Sequence, residues 1–220
     1  MRFDVGFDKM ASGEIAKMLK LRSALAMIVV LATGPVVAAE EASCSGVFGA
    51  DSSEALVIKT FGKDNVVTQE EDGTDGMTIL TTRVFPNDPD RTIAFTWWDE
   101  DEHTGPNYVD LPPTMAGPHG VRVGMTVAEV QAINGAPFTI GGFWWDYGGY
   151  ANIEKGTLAN GDDGCYLSLR FAPADEDFGD LDTGPVTGEV SIPSDTPLLA
   201  KIDTRLQVLS ISYPGPEGDD

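Results

Sequence analysis

The stretch "GMTVAEVQAINGAPF" occupies residues 124–138 and carries a complete helix grammar. Thr126 and Glu129 have the Thr-x-x-Glu spacing of a capping box, in which two otherwise unpaired N–H groups at a helix start are satisfied reciprocally. Val127, Val130 and Ile133 then recur at helical spacing. Asn134-Gly135 supplies the left-handed stop, and Pro137 keeps the helix ended. The stretch is therefore read as a short helix, not as a catalytic loop. The adjoining segment, "FTIGGFWWDYGGYANI" (138–153), is one bent strand or a hairpin interrupted by glycines.

An equivalent order precedes it. "ADSSEALVIKTFG" (50–62) is a short helix with Asp51 as acidic N-cap, an apolar face of Ala55, Leu56, Ile58 and Phe61, and Gly62 as C-cap. Strands are expected at 65–70, 77–85, 91–99 and 108–111, separated by turn-rich "QEEDGTDG" (69–76), "PNDPD" (86–90) and an acidic loop, "DEDEHTGPN" (99–107). "PPTMAGPHG" (112–120) reads as a linker. After the second helix, turn signals fill 154–164, a strand covers 165–173, and an acidic loop covers 174–185. A mixed stretch (186–204) leads to a closing strand at 205–215. The two helices lie 73 residues apart, and at that offset "TIAFTWW" (92–98) falls on "CYLSLRF" (165–171). The expected fold is α+β: two tandem repeats, 40–118 and 119–220, each a helix plus a four-stranded antiparallel sheet, with helices on one face.

The first 39 residues read as a leader. Basic "KMLKLR" (17–22) precedes apolar "SALAMIVVLATG" (23–34), which is short of the roughly 20 residues a membrane span needs. Val37 and Ala39 hold the small-residue positions of a cleavage site, so cleavage is expected after Ala39, with Ala38 as the alternative. An uncleaved anchor is the rival reading. Met10 and Met18 are alternative starts, because the stretch before Met18 is long and acidic for a signal peptide. Cys44 is preceded by "EAS", which is no lipobox.

Cleavage leaves 181 residues, enough for a sizeable core. Five of the 14 basic and three of the 35 acidic residues lie in the leader, so the net charge moves from −21 to −23. Such a field repels nucleic acid and anionic lipid, and no stable membrane insertion is expected after cleavage. It suits a cationic partner, divalent ions, or plain solubility. Cys44 and Cys165 are the two cysteines of the chain. An exported chain with an even count implies one disulfide; two unpaired thiols are the alternative.

The residues of 124–147 also carry a family resemblance. Gly124-Met125-Thr126, Val130, Gly135, Pro137, Trp145 and Tyr147 are similar to the Gly-Met-Thr-x-x-x-Val…Gly-x-Pro…Trp-x-Tyr pattern of the SmpA/OmlA small lipoproteins. The tandem order resembles that of β-lactamase inhibitory protein, in which each repeat joins a helical part to a four-stranded sheet. The resemblance implies an exported protein that binds another protein, and no enzyme. It does not carry over β-lactamase inhibition. This chain has no lipobox, and its cysteine pair would bridge the two halves, not close within a repeat.

Chemistry-bearing residues are sparse. His103 and His119 sit in "DEDEH" and "GPHG", both read as exposed loops, and no Gly-x-Ser-x-Gly elbow occurs. The carboxylate runs 99–103, 162–163 and 175–182 offer oxygen ligands without EF-hand spacing, so neither a metal nor any cofactor is assigned. The aromatics are more pointed. Phe143, Trp145 and Tyr147 would share one face of a regular strand, and Trp144 and Asp146 the other. A sheet covered by helices on one side leaves its second face for a partner. Trp145, Tyr147, Trp97 and Tyr150 are the candidate protein-binding anchors, since Trp and Tyr dominate interface hot spots; Trp97 or Trp98 would alternatively fill the core. The function expected is a periplasmic or secreted protein-binding module with an unidentified partner. The rivals are a small hydrolase acting through carboxylates such as Asp146 and Asp99, and a calcium- or carbohydrate-binding module.

Overall fold

The computed structural model describes residues 41–73, 76–159, 161 and 164–216, all within one compact unit, 38–220. The leader and Asp162-Asp163 lie outside the described residues. Among the described residues three α-helices occur: α1 (Glu54–Phe61), α2 (Val127–Asn134) and α3 (Pro197–Lys201). Thr126 and Glu129 form the capping box around the start of α2, and Gly135 closes it at φ 71°. At α1 the cap is Ser53 in place of Asp51: its Oγ accepts from the Leu56 N–H at 3.3 Å. The helix therefore starts later than the acidic residue suggests. Gly62 ends it at φ 87°.

The described residues form nine strands, in chain order: β1 (Val66–Asp72), β2 (Thr78–Val84), β3 (Ile93–Asp99), β4 (Thr104–Asp110), β5 (Thr139–Gly141), β6 (Ala151–Asn152), β7 (Tyr166–Pro173), β8 (Ser191–Pro193) and β9 (Thr204–Ser212). They form one six-stranded antiparallel sheet, β1-β2-β3-β4-β9-β7, and one three-stranded antiparallel sheet, β6-β5-β8. The fold is α+β, but it is not two equal four-stranded repeats. The 73-residue offset does hold for four element starts: Glu54 and Val127, Val66 and Thr139, Thr78 and Ala151, Ile93 and Tyr166. The second set then diverges. β5 and β6 have three and two residues where β1 and β2 have seven each. β9 inserts between β4 and β7, so both halves build one large sheet.

Local chemistry explains the shortening. A side chain at Gly142 would put its Cβ 2.2 Å from the Gly188 carbonyl oxygen, so only glycine lets the chain leaving β5 pass that backbone. The 138–153 stretch is thus a hairpin with a wide loop. Its Gly149 carbonyl accepts from the Phe171 N–H at 2.7 Å, and Tyr150 bridges Arg170, which joins the small sheet to the outer edge of β7.

Alternation decides which face of the large sheet is covered. Val84, Ile93, Phe95, Trp97, Val109, Leu169, Leu209 and Ile211 project to one side and are buried under the helices. Val57 of α1 and Val127 and Val130 of α2 belong to the same core. The rings of Phe48, Phe95 and Trp97 stack in sequence at 6.0 and 5.7 Å. Each such aromatic contributes about 2–3 kcal/mol of burial. Cys44 and Cys165 form a disulfide that ties the segment before α1 to the start of β7. Among the described residues, no helix is long and apolar enough to cross a membrane.

Candidate functional site: the helix-free sheet face

Among the described residues, no helix packs on the opposite face of the six-stranded sheet. Its side chains fall in cross-strand rows set by the register. One row runs Tyr166, Ser212, Tyr108, Thr96, Thr81, Gln69; the next runs Ser168, Ser210, Asp110, Ala94, Arg83, Val67. The floor is small and close-packed: Ala94, Thr96 and Ser210 are buried, and Thr81 is 2 % exposed with its hydroxyl unpartnered. Larger side chains stand at the rim. Tyr166 is 53 % exposed, Tyr150 is exposed beside Arg170, and Trp98 is 44 % exposed at the far end of β3. The bulge at Thr96/Trp97 and the plain alternation of β3 send Trp97 to the core and Trp98 to this face.

A polar network crosses the face. Arg83 grips Glu71 through Nε and Nη2, which holds the Glu71 carboxyl below its ordinary range. Asp110 is pushed up instead. Burial is the main cause, and the hydrogen bond from the Ser210 hydroxyl and the charge of Arg83 only moderate it. Tyr108 is also pushed up, by burial first and by Asp110 second. Asp110 and Arg83 line a cleft of about 800 Å³ between this face and the proline-bearing turns at Pro86, Pro89 and Pro112.

The glycine-flanked aromatic loop stands at the β7 edge. Arg170 organises it: Nε donates to the Gly148 carbonyl at 2.9 Å, Nη2 to the Asp146 carbonyl at 3.3 Å, and the guanidinium lies 5.1 Å from the Tyr150 ring centroid. Tyr147 is 57 % exposed. Trp145 is half-buried, with its ring edge-on to Tyr147 at 5.6 Å and its indole N–H donating to the Gly142 carbonyl at 2.8 Å. The strand parity expected for this stretch does not hold. Phe143 makes an isolated bridge to Thr187, and Trp144 sits at φ 61°, which breaks the alternation. Trp144 instead meets Phe143 and Phe178 edge-on.

Of the four expected anchors, Tyr147 and Tyr150 are exposed, Trp145 is half-buried between them and the β7 edge, and Trp97 is in the core at 3 % exposure. Trp97 cannot serve as a surface anchor: its indole N–H donates to Thr82 Oγ1, on the helix side. Tyr108, Tyr166, Trp98 and Arg170 join the face without having been expected there as anchors. Tyr166, Ser168 and Arg170 alternate with Leu167, Leu169 and Phe171, so a period-2 pattern does mark this strand in the sequence.

His103 is not a free loop residue either. Its Nδ1 pairs with Glu54 Oε2, and Glu54 Oε1 accepts from Thr68 Oγ1. Burial pushes the Glu54 carboxyl up, but the hydrogen bonds from Thr68 and His103 and the charge of His103 outweigh it, and the net shift is downward. His119 is exposed at φ 62°. Among the described residues, no three His, Cys, Asp or Glu side chains converge as metal ligands. Of the carboxylates considered for hydrolysis, Asp99 lines a trough at the end of β3, and Asp146 sits in the aromatic loop, its carbonyl accepting from Arg170. A comparison with known protein families, curated proteins and solved structures finds no match to this chain.

Proposed function

We propose that this chain is an exported, non-enzymatic module that binds another protein on the helix-free face of its six-stranded sheet. One observation carries the reading: the face combines a floor of Ser, Thr and Ala with a rim of exposed Tyr150, Tyr166 and Trp98. Tyrosine and tryptophan give large, rigid contact area at low entropic cost, and serine and threonine give adaptable hydrogen bonds. That combination suits a polypeptide surface better than a small apolar ligand, which needs an enclosed pocket. Tyr147 and Trp145 extend the rim from the aromatic loop. The disulfide supports an oxidising compartment, periplasmic or extracellular. The shared 73-residue offset of four element starts supports two related halves, 40–118 and 119–220, that have diverged in strand length.

Affinity capture tests the reading. The oxidised chain is immobilised against envelope and culture-supernatant extracts, with Tyr150→Ala/Tyr166→Ala as the control. A protein retained by the parent and lost by the folded double variant supports the reading. Equal retention by both removes the face from it.

A second reading rests on Asp110, the one carboxyl pushed upward among the described residues, beside Arg83 in a cleft. A raised carboxyl in a cleft is a feature of acid–base sites. That reading requires an activity that Asp110→Asn abolishes while Tyr166→Ala spares it.

A further inference from the structure

A trough of about 810 Å³ opens at the Trp98 end of the helix-free face. Trp98 forms part of its lining, and the trough is bounded by Pro106, Pro214 and Pro216. Gly215 passes beside the indole, close enough that an added Cβ would stand 3.5 Å from the ring. Asp99, Glu100 and Asp101 stand around it. None of the three makes an ion pair among the described residues. Asp99 Oδ1 accepts the Glu102 N–H at 2.9 Å, which orients that carboxylate.

Three uncompensated carboxylates beside an exposed indole face form a complementary surface for a cation. The ring quadrupole attracts a cation held over its face, and the carboxylates add charge at the rim. The carboxylates do not converge on a point, so the geometry does not match a divalent ion's oxygen cage. The trough is open and lies at the end of the sheet, where Thr104, Gly105 and Tyr213 also line it.

We infer that this trough receives a basic segment of the partner polypeptide, with a lysine or arginine side chain laid over Trp98 between Asp99, Glu100 and Asp101. The partner being a protein rests on the function proposed above; the preference of the trough for a cationic side chain stands on its own geometry. The net charge of −21 acts in the same sense, drawing basic partners toward the chain before contact.

Indole N–H resonances of the full oxidised chain read the trough directly, with Trp98 assigned through Trp98→Phe. The probe is a blocked pentalysine peptide; blocked pentaglutamate, tetramethylammonium and calcium chloride are the comparisons. The expected result is a saturable shift of the Trp98 indole with pentalysine alone. The shift is roughly tenfold or more weaker in Asp99→Asn/Glu100→Gln/Asp101→Asn, and weakens again from about 0.05 to about 0.5 M salt. Asn at 99 keeps the acceptor for Glu102, and the other three indole resonances report that the variant is folded. No shift at Trp98, or an equal shift in the triple variant, overturns the inference. So does tetramethylammonium or calcium binding as tightly as pentalysine, which would make the trough a small-cation site. Tyr166→Ala separates the two levels: it leaves the Trp98 titration intact even where it abolishes capture of a partner.

Discussion

Replacing Arg170 with alanine is expected to release the aromatic loop while leaving the sheet folded. The Nε–Gly148 bond is a charged hydrogen bond at 2.9 Å, a class that contributes about 1.5–3 kcal/mol net. The Nη2–Asp146 bond at 3.3 Å is weaker, and the guanidinium over Tyr150 adds about 0.5–1 kcal/mol at an exposed site. Ordering the long side chain takes back about 1–2 kcal/mol. About 2 kcal/mol of local stabilisation remains, which is roughly a 30-fold change in the loop's opening equilibrium. The Gly148 amide is the reporter, because it donates to the Trp145 carbonyl within the turn that Arg170 braces. Hydrogen exchange at Gly148 should accelerate by that factor in Arg170→Ala. The amide of Phe171, bonded to Gly149 on the strand side, should change far less. Arg170→Lys should fall between, since it keeps the charge but loses the two-pronged geometry. Unchanged protection at Gly148 would refute the assignment of Arg170 as the brace, and equal acceleration at Phe171 would mean that the sheet edge itself had opened.

Removing the disulfide with Cys44→Ser/Cys165→Ser frees a link across a sequence separation of 121, worth about 5 kcal/mol on the chain-entropy model, and should lower Tm by roughly 10–20 °C in calorimetry; a drop under about 3 °C would contradict it. Glu54 has its folded-state pKa below the ordinary 4.5, so its contribution is fully present above that pH and is lost as pH falls through the lowered value. Denaturant titrations below about pH 4.5 should therefore show a shallower acid destabilisation in Glu54→Gln than in the parent. Asn134→Ala should cost about 3 kcal/mol, because the buried side chain donates to the Ala136 and Lys155 carbonyls and accepts the Leu158 N–H. A loss below about 1 kcal/mol would show that water replaces those partners.

The local grammar of this chain is written in the sequence, and its long-range assembly is not. The capping box at Thr126 and Glu129 and the glycine stop of α2 arise from side chains within one turn of each other. β4 begins at Thr104, inside a stretch whose Gly105-Pro106-Asn107 composition reads as loop. The strand exists because β3 and β9 pair with it on either side, and Gly105, at φ 61°, fits the irregular start. Asn134 reads as a helix stop, and it also anchors the 155–158 turn, a contact that local spacing does not encode. The aromatic loop defeats parity because one residue, Trp144, turns left-handed. The face itself was half legible: Tyr166, Ser168 and Arg170 alternate visibly, but their alignment with Tyr108 and Asp110 depends on β9 lying between β7 and β4.

That placement of β9 has a consequence in time. During synthesis, residues 41–203 emerge before the strand that joins their two halves. Until β9 arrives, β4 and β7 each present a bare strand edge, the feature most prone to pairing with a stranger. A chain emerged as far as residue 203 thus holds both of these edges open, and the last strand closes them at once. Such late, distant pairing makes folding slow and leaves the intermediate in need of protection until the final dozen residues of the described chain are free.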